Sequence, residues 1–437
     1  MRMLPWCAAS IAAGTALATM GTAAQSLDRF AATRDHPAIA YSDPERHDAV
    51  ADLNRRLRTG KAHLRFEPTS GYLTSVLAAL AVPIESQSLV FSQGSAQGSL
   101  IGPSNPRAIF FSDDVAVGWV RGADEIELAA QDPRQGVTFY TLAQRQSVLP
   151  VVSRRDDCLR CHLVAETLGV PGLLTFSTFR MSDSPTAYAL GLPVDHRTPI
   201  SERWGGWYVT GRVDAPHKGN VPVVVPERDL HRPQQAPPVL DDVSGTLDTR
   251  GFPSACSDVD AQLVLAHQTR MMDLITRLGW ETRVALHDRA RGAPPPAGVD
   301  TTPLPAGVRD MVGDLVDYLL FVDEAPLPPG VSGSCAAFAR RFEAAGRRDH
   351  LNRSLRDLDL STRLMRYPCS YMIDAPAFAA LPREARDAVY RRLWDVLSGR
   401  DRAPRFAHLT LPVRKQIVEI LTDTHQDLPS DFGGPVR

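Results

Sequence analysis

The segment Cys158-Leu159-Arg160-Cys161-His162 constrains this chain more than any other feature. Two thiols three positions apart, followed at once by an imidazole, form the pattern for covalent attachment of haem c. The thiols add to the two porphyrin vinyl groups, and the short loop sets the next residue beneath the iron. On this reading Cys158 and Cys161 hold one haem per chain and His162 supplies the proximal nitrogen to iron. Two other chemistries use similar residues. A redox dithiol lowers a thiol pKa, but it normally follows a strand and opens a helix in a βαβ unit. Here the preceding residues 153–157, Ser-Arg-Arg-Asp-Asp, are charged and read as a loop. A structural zinc site needs four ligands, usually with a second close pair. The remaining cysteines downstream, Cys256, Cys335 and Cys369, are scattered singly.

The N-terminus agrees with a haem attached outside the cytoplasm. Met1-Arg2 gives a positive start, an apolar run extends from Leu4 to Met20, and Thr22-Ala23-Ala24 offers small residues before Gln25. This is the pattern of a secretory signal peptide over residues 1–24. The run is short and broken by Gly14, which disfavours a retained membrane helix. No twin-arginine pair precedes it, and Cys7 lies too early for a lipoprotein cysteine. The expected location is therefore the periplasm, with no integral membrane segment after cleavage. Removing the signal leaves 413 residues, and the formal net charge of −2 becomes −3 with the loss of Arg2. A nucleic-acid partner would call for a basic surface, which this balance excludes. Of Cys256, Cys335 and Cys369, a disulfide would leave one odd thiol, and the spacing does not choose the pair.

The fold class expected is α+β, with a β-rich haem-bearing region over 25–230 and a mainly helical region over 250–437. Residues 109–111, 115–120 and 137–142 are dense in β-branched and aromatic types, separated by the turn signals Asp113-Asp114, Arg121-Gly122 and Pro133–Gly136. Further strand-like runs occupy 173–180 and 207–213. A helix is expected near 48–57. The Pro-rich stretch 222–238 separates the halves, and a second Pro-rich linker covers 291–307. After the first, Ser257 reads as an N-cap with Asp260 three residues on. Leu263, Met271, Leu274 and Leu278 then share one helical face. Helices follow near 308–322, 335–345, 382–397 and 412–422.

The iron's second axial position decides the chemistry, since a second protein ligand gives an electron carrier and an open position admits small molecules. His217, in a Gly-containing turn, is the first candidate metal ligand. His267 lies on the apolar face of the long helix, where a satisfied core histidine is the commoner outcome. His196 sits in a charged, proline-bearing turn, and Met181 is the best thioether candidate. Arg203 in the Trp204-Gly205-Gly206-Trp207 segment, and Arg154 and Arg155 beside the motif, are candidates for haem propionates. The same tryptophan segment also reads as ordinary strand–turn packing.

The motif by itself resembles the c-type cytochromes. The small class I members are almost wholly helical and carry the motif near their N-terminus, so their fold is not implied for a chain with sheet-like surroundings. Segments 114–118, 136–142, 155–162, 203–211, 217–220 and 366–371 together resemble a group of long exported bacterial monohaem proteins. That resemblance implies an exported cytochrome and no particular reaction. The expectation is a periplasmic monohaem c-type cytochrome that transfers electrons to and from redox partner proteins. Its rivals are a haem enzyme with an open distal iron site, of peroxidase or other small-molecule oxidoreductase type, and a haem-bearing sensor module.

Overall fold

Strand alternation in the first half builds the frame that carries the motif. The structure is a computed structural model and describes residues 32–183, 190–230, 236–292, 304–430 and 432–437; the signal segment lies outside these residues. Six strands run in sequence order as an antiparallel meander: β1 (Ser88–Val90), β2 (Arg107–Phe111), β3 (Val115–Trp119), β4 (Glu125–Asp132), β5 (Gly136–Ala143) and β6 (Val152–Arg154). Successive side chains point to opposite faces. One face presents Ala108, Phe110, Val117, Trp119, Ile126, Leu128, Tyr140 and Leu142. It packs on the helices α1 (Ala49–Arg58) and α2 (Leu73–Ala79) through Val50, Leu53, Leu57, Leu73 and Leu77. Asp48 caps α1, accepting the Ala51 N–H at 2.8 Å and the Tyr140 hydroxyl at 2.6 Å.

The other face, with Phe111, Ala129, Val137 and Phe139, belongs to a larger core that continues through the helical half. Its axis is α4, Val259–Ala290, which is buried around nearly its whole circumference and packs on β5. Around it lie α5 (Ala306–Leu319), α6 (Ala337–Ala344), α7 (Pro376–Ala379) and α8 (Arg383–Leu397), with α9 (Leu411–Thr424) against α8. The chain is thus α+β, a six-stranded antiparallel sheet followed by a mainly helical region. One apolar core joins the two compositional halves, because the sheet alone has a second face to bury.

The helix start differs in detail from the reading of Ser257 as cap. Asp258 occupies the N-cap position, and its carboxylate accepts from Thr210 Oγ1 at 2.7 Å and Ser334 Oγ at 3.0 Å. Ser257 instead ties the helix to β1: its Oγ accepts the Leu89 N–H at 2.8 Å and donates to the Tyr208 carbonyl at 2.7 Å. Cys256 and Cys335 form a disulfide, which leaves Cys369 as the buried odd thiol. A disulfide is compatible with an oxidising compartment. Among the described residues, no helix is long and apolar enough to cross a membrane.

Candidate functional site

The motif follows directly from the sheet's last strand. Beyond β6 the Arg155 N–H bonds the Phe139 carbonyl at 2.9 Å, holding the chain on β5 for one more residue. The Arg155 guanidinium reaches Glu125 at 3.1 Å and Asp157 at 2.9 Å, so the charged loop is pinned to β4. A 3-10 turn at Asp156–Cys158 leads into α3, the single helical turn Leu159–His162. Leu159 is the apolar anchor of that turn, Cys158 is half-buried and Cys161 is exposed. Helical spacing of three and four puts Cys161 and His162 on the same side as Cys158.

His162 is oriented by two neighbours. Its ring lies on that of Phe139 with centroids 4.7 Å apart and planes 38° apart. Its Nδ1 lies 3.0 Å from the Gly172 carbonyl oxygen, and the Gly172 N–H donates to the His162 carbonyl at 2.9 Å. A carbonyl oxygen only accepts, so Nδ1 carries the proton and Nε2 keeps its lone pair. This is the tautomer, and the supporting bond, that a metal-ligating imidazole requires. The Pro171 carbonyl accepts the Val137 N–H at 2.9 Å, which fixes the Gly172 loop to β5 as well. Burial holds the His162 pKa below its ordinary value; the Gly172 bond and Glu127 oppose this and Arg107 adds to it. The ring therefore stays neutral and able to ligate at neutral pH.

Cys158 lacks the character of an activated thiol. Burial first, then the negative charges of Asp157 and Glu127, push the Cys158 thiol above its ordinary range. A redox-active pair needs the reverse. Cys158 and Cys161 are not joined as a disulfide. Nor do the ligand atoms of Cys158, Cys161 and His162 meet at a common point, as a zinc site would require. Cys158, Cys161 and His162 lie within one short turn, as a ligand attached at three places would require.

Beside Phe139 this face of the sheet runs from the larger core to a partly covered border. Cross-strand register aligns Phe111, Ala116, Ala129 and Phe139 in one row and Ile109, Gly118, Glu127 and Thr141 in the next. The first row is centred on the small residues Ala116 and Ala129, and the second on Gly118 and Glu127. Ile109, Ala116, Cys158 and Leu163 are only partly covered by the core they border. Arg107 lies over Gly118 on this face and pairs with Glu127, while its Nε is a buried donor with no partner. An orphaned buried N–H is rare and costly, and a carboxylate of a bound group would satisfy it. The residues present thus fit a haem held by Cys158, Cys161 and His162.

The four candidate distal ligands have the following surroundings. His217 is buried edge-on against Trp204, ring centroids 5.1 Å apart, and its Nδ1 accepts the Gly219 N–H at 3.1 Å. Desolvation pushes its pKa down to about 4, so it is neutral. With Nδ1 accepting, its proton lies on Nε2. His196 and His267 bond each other through Nδ1 at 2.7 Å and stack with Tyr318 and Phe321. His267 Nε2 is also 2.7 Å from Ser370 Oγ, so both its nitrogens are engaged, and burial pushes its pKa down to about 3. Met181 is half-buried and bridges to Val224 in parallel fashion.

The arginines singled out from sequence are likewise committed. Arg203 is buried and donates to the Thr198 carbonyl at 2.7 Å and the His196 carbonyl at 2.9 Å. Arg154 covers the Tyr41 ring at 5.1 Å and bonds Asp156 at 2.7 Å. Trp204 and Trp207 flank a turn packed on the short hairpin strand β7, Phe176–Thr178: Trp207 Nε1 donates to the Phe176 carbonyl at 2.7 Å. A Cβ at Gly205 would collide with the Thr178 carbonyl, which explains the Gly-Gly pair as close packing. The residues that shape the site but escaped the sequence reading are Phe139, Gly172 and Arg107. The Pro171-Gly172 dipeptide ten residues beyond His162 was the available signal for one of them. Comparison of the chain with protein-family models, with curated proteins and with solved structures finds no match in any of the three.

Proposed function

We propose that this chain is an exported monohaem c-type cytochrome that exchanges single electrons with redox partner proteins in the periplasm. The observation that carries the reading is the His162 Nδ1–Gly172 carbonyl bond, which leaves Nε2 as a lone pair one residue after two unpaired thiols. Cys158 and Cys161 would hold the porphyrin edge and His162 its iron, while Phe139 and Gly172 keep the imidazole in place. The bound group would supply a reversible one-electron couple, tuned by burial and by hydrogen bonds to its ligand. Cys161 is exposed, so an attachment edge held by it would lie at the protein surface, where a partner can approach.

The test is a pyridine haemochrome spectrum of denatured protein, exported from a host that carries the haem-attachment machinery. Haem c absorbance that stays with the polypeptide in acid-acetone and disappears in Cys158→Ser/Cys161→Ser supports the proposal. Haem that extracts freely from the native sequence rejects it. A haem enzyme with an open distal position is the second reading, and one observation favours it: both nitrogens of His267 are taken, by His196 Nδ1 and Ser370 Oγ, while His196 keeps only its buried Nε2 without a partner. Carbon monoxide added to the reduced protein separates the two. Rapid full binding supports the enzyme, and no binding supports the six-coordinate carrier.

A further inference from the structure

A second site lies behind the motif loop and makes no use of the haem. The residues after His162 fold over α4 and against the segment entering Asp195, lining a half-open cavity of about 280 Å³. Its apolar wall includes Leu173, Leu174 and Val194, and its charged groups are Glu166, Asp195, Arg270 and Asp273. Asp273 is only 1% exposed. Beyond a loose contact with the Leu173 N–H, neither of its carboxyl oxygens has a hydrogen-bond partner. Burial pushes its pKa well above the ordinary range. Such a group costs free energy unless a partner satisfies it. The charge of nearby Arg270 opposes that shift without a hydrogen bond to Asp273, and Arg270 Nη1 donates to the Glu166 carbonyl at 2.9 Å. Three carboxyl groups against one guanidinium make the lining negative when all are ionised. The volume suits a ligand of a few heavy atoms and is too small for a cofactor of porphyrin size.

We infer that this cavity binds a small organic ammonium ion, with the nitrogen on the Asp273 carboxylate and the carbon chain on Leu173, Leu174 and Val194. An ammonium head donates up to three hydrogen bonds and brings the charge that an ionised buried carboxylate needs. A free anion has one cation to meet and three carboxyl groups to avoid. A neutral alcohol can hydrogen-bond the Asp273 carboxyl but brings no charge to offset the negative groups around it.

Titration calorimetry with n-butylammonium, n-butyrate and n-butanol tests the assignment, using the full chain with and without Cys158→Ser/Cys161→Ser. The expected result is one n-butylammonium site in both proteins, at least tenfold weaker in Asp273→Asn, with no n-butyrate binding. No n-butylammonium binding, unchanged binding in Asp273→Asn, or stronger binding of n-butyrate or n-butanol overturns it. Should Asp273→Asn misfold, methyl spectra of the wild-type chain decide. Shifts confined to Leu173, Leu174 and Val194 on adding n-butylammonium support the site, and shifts elsewhere or none reject it. Because binding is read without the haem-attachment cysteines, its failure is separate from failure of the cytochrome proposal.

Discussion

Gly172 is where the orientation of His162 and the packing of α4 meet, and a methyl group there provides a quantitative test. A Cβ on Gly172 would fall inside van der Waals contact with Asp273 Oδ1, 2.9 Å from Asp273 Cγ and 3.2 Å from Thr167 Cβ. Asp273 is buried and cannot swing to solvent, so either its carboxyl or the Gly172 backbone must shift. Overpacking of a filled core costs about 1–3 kcal/mol. Moving the backbone also weakens the two bonds between Gly172 and His162, each worth about 1 kcal/mol. Gly172→Ala should therefore destabilise the chain by about 2–4 kcal/mol in urea unfolding, with no change expected in the slope. Asp273→Ala removes the obstructing atoms, and the remaining contact with Thr167 is tolerable. The double variant should recover most of the loss, a coupling of about 1–3 kcal/mol. Long-range ¹H–¹⁵N spectra of the His162 ring should show the Nδ1–H tautomer in wild type, mixed tautomers in Gly172→Ala, and restoration in the double variant. Additive free energies, or a tautomer indifferent to Gly172→Ala, would refute the reasoning.

Two further predictions follow from groups remote from the motif. The Cys256–Cys335 disulfide spans a sequence separation of 79 residues. In the chain-entropy account a loop of that size is worth about 4–5 kcal/mol. Cys256→Ala/Cys335→Ala should lower the urea midpoint accordingly, and dithiothreitol should lower the wild-type midpoint but leave the variant's unchanged. Asp260 is buried, near the negative charge of Asp258, and its pKa is pushed up to about 7 from 3.8. The folded state thus retains a proton that the unfolded state has released, so wild-type stability falls as pH rises from about 4 to about 7. Asp260→Asn should escape that loss and gain on wild type across this window, by up to about 4 kcal/mol, then hold a constant difference above it. A difference independent of pH between 4 and 8 would sink the argument.

The sequence exposed the strands whose own chemistry matches a half-buried ladder and concealed those that owe their state to neighbours. β2, β3 and β5 are rich in β-branched and aromatic residues and were legible. β4 reads Glu-Ile-Glu-Leu-Ala-Ala-Gln-Asp, mostly helix formers, and is a strand because β3 and β5 pair with it on both edges. The long helix was legible only in part. Burial on all sides erases the polar stripe that would mark its register, so its 32-residue extent and its cap at Asp258 were not readable. The same distinction governs the site. Five adjacent letters announce the three attachment residues. The use made of His267 depends on partners 71 and 103 residues away, and no local pattern encodes it. Arg203 likewise directs two of its donors to the main-chain carbonyls of Thr198 and His196, contacts that its neighbours in sequence do not announce.

The position of the motif also bears on the order in which folding and attachment can occur. In a small helical cytochrome the haem is a large part of the core. Here the two cores lie on opposite faces of the sheet, Cys161 is exposed, and His162 meets the larger core through its ring contact with Phe139. Only Leu159 anchors the turn as a buried core residue. The sheet is covered by α1 and α2 on one side and by α4 on the other. Most of the buried apolar area that drives folding is thus present without the cofactor. The chain with Cys158→Ala/Cys161→Ala should fold cooperatively, with Trp119 and Trp280 emission native-like and stability within about 1–2 kcal/mol of the untreated apoprotein. Leu159→Ala, by contrast, should loosen the motif turn at a cost of about 2–4 kcal/mol. A cysteine-free chain that lacks cooperative unfolding would mean that the bound group is part of the core, and that the sheet alone does not position the site.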